Sequence, residues 1–237
     1  MKSLLFALLL FPLQVNAAWD FTSDSVQVTD ATPLALPDAD WTICFRFKLD
    51  SNTGTISSTL VANVSAAGNH GFLFRIRQAT AATDPNGLRF SVEDSIGDNY
   101  GGNDVLGTGT PGTSTAWQTL CAVRVTSTLT VYVNNAQEGT ATNANVDGID
   151  PAINVYFGQE SDADNFLLDG HLADFAIWSR ALGASELASY EKFAANCFPG
   201  RQVYIPMVRE YIEVNAGLTV TNTNTTASSH PPIINCS

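Results

Sequence analysis

The chain has 237 residues, of which 45% are hydrophobic and 14% charged, with four cysteines and a formal net charge of −12. So acidic a chain repels nucleic acid and anionic membrane, which makes both poor partners. Beyond the N-terminus no stretch approaches about 20 uninterrupted apolar residues, so no membrane-spanning helix is expected.

Met1, Lys2 and the apolar run 4–13 lead into Val15-Asn16-Ala17-Ala18. This is the pattern of a secretory signal peptide cleaved after Ala17 or Ala18, and it implies an extracellular protein. The expected organisation is a signal peptide over 1–17, one large β-domain over 18–222, and a polar tail over 223–237 that would be loose without a tether at Cys236. An even number of cysteines in an exported chain points to two disulfides, and spacing alone leaves three pairings open. No CxxC pair or Cys/His cluster offers metal or nucleophile chemistry.

From Trp41 onward, short alternating apolar runs are broken by Gly, Asn, Asp and Ser, which predicts an all-β sandwich. Strands are expected at 41–49, 59–64, 71–77, 88–93, 119–125, 129–133, 154–157 and 170–178, with closing strands at 202–206 and 218–222. Within the first of these, Arg46 and Lys48 alternate with Phe45, Phe47 and Leu49, which predicts one wet, cationic face. Asp84-Pro85-Asn86-Gly87 suits a tight hairpin, and Asn134-Asn135 does the same after Val133, because Asn and Gly tolerate positive φ. The polar stretch 97–115 reads as a long loop and a candidate binding edge. One short helix is expected at 184–193, with Ser185 as its cap and Glu186 in the first turn. Trp41, Trp117 and Trp178 are expected in the core, and Trp19 beneath the closing strands.

Three segments stand out, in chain order. They are Trp41-Thr42-Ile43-Cys44-Phe45-Arg46-Phe47; then Trp117-Gln118-Thr119-Leu120-Cys121 followed by Val131-Tyr132-Val133-Asn134-Asn135; then Phe157-Gly158-Gln159-Glu160-Ser161-Asp162 with the run 170–183 and Glu186. Together they span roughly residues 38–195 and resemble the laminin G-like and pentraxin-like branch of the concanavalin A-like jelly rolls, which implies an all-β, two-sheet antiparallel jelly-roll sandwich with one short helix. Pentraxins carry His before the second cysteine and Thr or Ser then Trp after it. Here Thr119, Val123 and Arg124 stand there, which favours the broader laminin G-like group and puts a pentraxin ring in doubt.

The resemblance implies a Cys44–Cys121 disulfide, which leaves Cys197 and Cys236 to pair. It also implies a calcium site, with Glu160 and Asp162 giving carboxylates, Ser161 its carbonyl, Asn69 an earlier ligand, and Asp164 or Asp169 standing in for the last ligands. Gly68 occupies the position of an expected carboxylate. The function implied is a secreted, non-catalytic recognition or adhesion module that binds glycan or another extracellular surface through loops around Asn69, 97–107 and 160–164, with calcium as cofactor.

Two other readings belong beside it. One is a structural subunit that assembles with copies of itself. The other is a jelly-roll glycanase or polysaccharide lyase using Glu160 and Asp162, since retaining glycosidases need two carboxylates about 5 Å apart. His70, His171 and His230 are scattered, and no nucleotide or serine-nucleophile motif occurs. Sequons at Asn63, Asn224 and Asn235 are glycosylation candidates, although Asn63 falls in an expected strand.

Overall fold

The computed structural model describes residues 17–22, 25–29, 35–51, 57–65, 68–77, 85–93, 105–106, 111–146, 154–160, 166–193, 195–205, 207, 219–223 and 226–229. Among them lie, in chain order, β1 (Ala17–Thr22), β2 (Ser25–Thr29), β3 (Trp41–Leu49), β4 (Ser58–Ser65), β5 (Gly68–Ile76), β6 (Leu88–Glu93), β7 (Val105–Leu106), β8 (Gln118–Val125), β9 (Thr128–Val133) and β10 (Ala136–Thr142). They continue with β11 (Val155–Phe157), β12 (Asp169–Trp178), α1 (Ala184–Tyr190), β13 (Arg201–Ile205), β14 (Thr219–Thr223) and β15 (Thr226–Ser229). One sheet runs β10-β9-β8-β3-β12-β1-β15, with β13 also beside β12; the other runs β14-β2-β11-β4-β5-β6-β7. The protein is an antiparallel jelly-roll sandwich with one short helix.

Alternation is what closes it. Phe45 and Phe47 of β3, Phe72 and Phe74 of β5, Phe90 of β6, Phe157 of β11 and Phe175 of β12 all point between the sheets and are fully buried. Phe74 stacks on Phe90 with centroids 4.1 Å apart and meets the edge of Phe45 at 5.1 Å. Each such ring contributes about 2–3 kcal/mol by leaving water.

A second, smaller apolar cluster lies outside the eight-stranded sheet, where Cys44, Cys121, Ala176 and Trp178 meet Leu187 and Tyr190 of the helix and Phe198. Cys44 and Cys121 are direct cross-strand partners in the β3–β8 register and form the disulfide that the resemblance implied. Cys197 is also disulfide-bonded; its expected partner Cys236 lies outside the described residues.

The helix changes the meaning of the cationic face. Lys48 is wet, but Arg46 has only 3% of its side chain exposed. Its guanidinium donates to Asp174 Oδ2 at 3.3 Å, to the Glu191 and Phe193 carbonyls at 3.1 and 3.0 Å, and to the Tyr190 carbonyl. These are the carbonyls a helix leaves unpaired at its C-terminus, so a cation suits the position. The expectation of a wholly wet face is thereby corrected. Burial pushes the Tyr190 hydroxyl well above its usual range, with the Asp174 charge adding to the effect, and Tyr204 shifts the same way for the same reasons.

Several local expectations are also revised. Asn134 and Asn135 do form the turn between β9 and β10, at φ 49° and 60°. Asn86 has φ 61°, yet the β5–β6 connection runs from Ile76 to Leu88 and is not a two-residue hairpin. The helix is capped by Gly183, whose N–H donates to Glu186 Oε2 at 2.9 Å, and not by Ser185. Trp41 and Trp178 are core residues, whereas Trp117 is half-exposed with its ring centroid 6.1 Å from that of His171. The side chain of Trp19 lies outside the described residues. Asn63 is fully buried opposite Phe72, which leaves no room for a glycan there.

The stretch after 222 is not merely a tail. β15 pairs with β1 from Ala17↔Ser229 to Asp20↔Thr226, along an edge that β1 would otherwise leave open.

Candidate functional site

In β5 and β6 the inward phenylalanines alternate with arginines. Phe74, Ile76, Leu88 and Phe90 are buried, so Arg75, Arg77 and Arg89 stand on the outer face of the seven-stranded sheet. Arg75 and Arg89 are direct cross-strand partners. Like charges placed opposite each other are destabilising unless an anion sits with them. Glu160, at the turn after β11, supplies one by pairing with Arg75 Nη2; their side chains are 22% and 9% exposed.

The neighbouring groups complete a small constellation. The Arg75 guanidinium lies 4.1 Å from the centroid of the Phe166 ring. Phe166 is fastened in turn by its carbonyl, which accepts the Thr59 N–H at 2.9 Å, and Thr59 is the cross-strand partner of Arg75. Thr59 is fully buried, and its Oγ1 has no hydrogen-bond partner among the described residues. On the same sheet Gln27 Nε2 donates to the Tyr156 hydroxyl at 3.1 Å. β7, the described end of the polar loop 97–107, runs beside Arg89 and Phe90.

The described parts of two of the three segments expected to form the binding edge, residues 105–106 and Glu160, therefore lie at the Arg75–Arg89 end of the sheet. The third does not. Asn69 lies near the start of β5, six residues and about 20 Å along the strand from Arg75. Ser161, Asp162, Asp164, Asn224, Asn235, His230 and residues 97–104 lie outside the described residues. Asp169 is the first residue of β12, with its carboxylate accepting Ser51 Oγ–H at 2.7 Å.

Calcium wants several converging oxygens. Of the expected ligands described here, Glu160 is engaged by a guanidinium, Asp169 by the Ser51 hydroxyl, and the Asn69 backbone lies far along β5 from Arg75, so Glu160 and Asn69 do not fit one calcium centre. The arginines escaped the reading of the sequence. Their signal was present in Phe74-Arg75-Ile76-Arg77 and Leu88-Arg89-Phe90, where period-two alternation puts all three on one face.

The model of the concanavalin A-like lectin/glucanases superfamily matches residues 20–188. Among solved structures, a "putative carbohydrate binding protein" from Bacteroides ovatus ATCC 8483 superposes with TM-score 0.70 at 18% identity, covering 94% of this chain and 62% of that one. The chain thus spans less than two thirds of that protein's length. A native heptameric SAP-like pentraxin from Limulus polyphemus superposes with TM-score 0.59 at 16% identity, covering 91% and 95%. The ligand-binding domain of botulinum neurotoxin serotype D, in complex with N-acetylneuraminic acid, gives TM-score 0.50 at 12% identity, covering 71% and 42%. No curated protein matches the sequence. At these identities the structures testify to the fold, and with the family match over most of the chain they place this protein in the concanavalin A-like lectin/glucanases superfamily.

Proposed function

We propose that the chain is a secreted, non-catalytic recognition module that binds an acidic glycan on the outer face of the seven-stranded sheet, without calcium. The observation that carries this reading is the placement of Arg77 and Arg89 on one face, beside buried Arg75 and its partner Glu160, in a chain whose net charge is −12. A local cationic patch on an acidic protein draws carboxylated or sulfated sugars to one place and repels them elsewhere. Guanidiniums take such groups through paired hydrogen bonds. Phe166, half-buried beside the Arg75 guanidinium, adds aromatic surface of the kind that covers the apolar face of a sugar ring. The superfamily includes both lectins and glucanases, so membership leaves the chemistry open. The engagement of Glu160 by Arg75 favours binding over catalysis, since the residue needed as acid or nucleophile is already structural. Support also comes from the names of the similar structures, two of which refer to carbohydrate or to a sialic acid.

The test is calorimetry of the exported protein against matched neutral, uronic, sulfated and sialylated oligosaccharides. Binding of an acidic member is expected to survive a chelator, to weaken as salt rises, and to fall at least about tenfold in Arg77→Ala or Arg89→Ala, the loss of one charge-assisted contact. Equal affinity for the neutral counterparts, or abolition by the chelator, overturns the proposal.

A further inference from the structure

The opposite face of the molecule brings together a different set of groups. On the eight-stranded sheet, antiparallel register places Asp20 of β1 opposite His171 of β12, and His171 opposite Lys48 of β3. They stand beside the inward-facing Phe21, Phe47, Leu49 and Leu172 along their strands and so share the outer face. Asp50, just past β3, reaches back to the same imidazole. His171 Nε2 lies 2.9 Å from Asp50 Oδ2, and Nδ1 lies 3.9 Å from Asp20 Oδ1. One ligand atom from each of Asp20, Asp50 and His171 falls within 4.8 Å of the others.

We propose that Asp20, Asp50 and His171 form a zinc-binding centre. Zinc takes imidazole nitrogen and carboxylate oxygen at about 2.0–2.2 Å, and its open sites combine three protein ligands with a water. The donor set matches that composition. The scaffold is prepared for it. The imidazole, only 7% exposed, is held against Trp117, while Asp20 and Asp50 remain open to solvent at 26% and 40% of their side chains. Asp20 and His171 come from adjacent strands whose register the ladder fixes, and Asp50 follows β3 by one residue, so little ordering is left for the metal to impose. Lys48 Nζ sits 3.1 Å from Asp50 Oδ1 and is the cation that zinc must displace.

Isothermal titration of the metal-free protein with zinc alone tests this. One zinc per chain is expected, with a rise in melting temperature. His171→Gln is expected to abolish binding, Asp20→Asn and Asp50→Asn to weaken it at least about tenfold, and Lys48→Ala to tighten it. Calcium, which prefers an all-oxygen set, is expected to give no heat at the same concentration. His171→Gln is checked for folding by circular dichroism, and Asp50→Asn changes an exposed group, so loss of binding and loss of fold are separable. No zinc binding at millimolar metal, zinc binding unchanged in His171→Gln, or an equal response to calcium overturns the proposal.

Discussion

Arg46 is a cation buried inside a layer that its strand would have left wet. It pairs with Asp174, which has no exposed side-chain surface and also accepts the Ala195 N–H at 3.2 Å. The pair is therefore a joint between β3, the bulge in β12 and the end of the helix. Taking charges from water is expensive, and their attraction offsets that cost only while both partners and their hydrogen bonds persist. Removing one side strands the other. Arg46→Ala is expected to destabilise the fold by about 3–5 kcal/mol in urea denaturation, whereas an exposed surface pair would cost less than about 1 kcal/mol. A loss within the surface range would mean that the carbonyls around Arg46 are readily satisfied by water. Nothing in Cys44-Phe45-Arg46-Phe47 marks Arg46 as different from Lys48 two residues on. What separates them is a helix more than a hundred residues downstream, which period-two reasoning cannot see.

At the scale of elements, the helix is short and owes its place to a clasp. Arg180 grips both oxygens of Glu186 at 2.9 and 2.6 Å, and Glu186 in turn takes the Gly183 N–H at the first turn. The Arg180 hydrogen bonds hold the Glu186 carboxyl below its ordinary 4.5, with the Gly183 N–H assisting and burial opposing. A depressed folded value means the clasp stabilises fully above pH 4.5 and is lost as pH falls through that lower value. Glu186→Gln is thus expected to cost about 1 kcal/mol at neutral pH. The gap from the unaltered protein should narrow in acid, measured by denaturant midpoints across pH; a gap constant with pH would show that charge plays no part. The helix itself was legible from Glu186 in its first turn, but Ser185 was a misleading cap, since the chain turns at Gly183 one residue before the helix. Strands that carry the inner core, such as β3 and β6, match their expected bounds because alternation there is strong. β10, with Ala136-Gln137-Glu138-Gly139-Thr140-Ala141-Thr142, has almost no buried side chain and therefore left no pattern to read.

Over the whole molecule, the decisive feature is how one C-terminal segment closes both sheets. β14 pairs along β2 from Thr219↔Thr29 to Thr223↔Ser25, completing the seven-stranded sheet. Two residues later β15 begins its pairing with β1 in the eight-stranded sheet. A single crossover thus covers two edges that would otherwise present rows of unpaired N–H and C=O groups. The sequence placed a domain limit at 222 because the later residues are polar, whereas a covering edge strand needs backbone donors and acceptors more than it needs apolar side chains. Removing residues 219–237 should then leave the inner core almost intact yet open β1 and β2 to other chains. To keep thiol chemistry out of the comparison, full-length and shortened proteins both carry Cys197→Ala, the full-length one also Cys236→Ala. The shortened form is expected to self-associate in light scattering and to melt at lower temperature, while its far-ultraviolet dichroism stays β-rich. If it remains monomeric with an unchanged melting temperature, the two edges need no cover, and the outermost strands contribute nothing to keeping the chains apart.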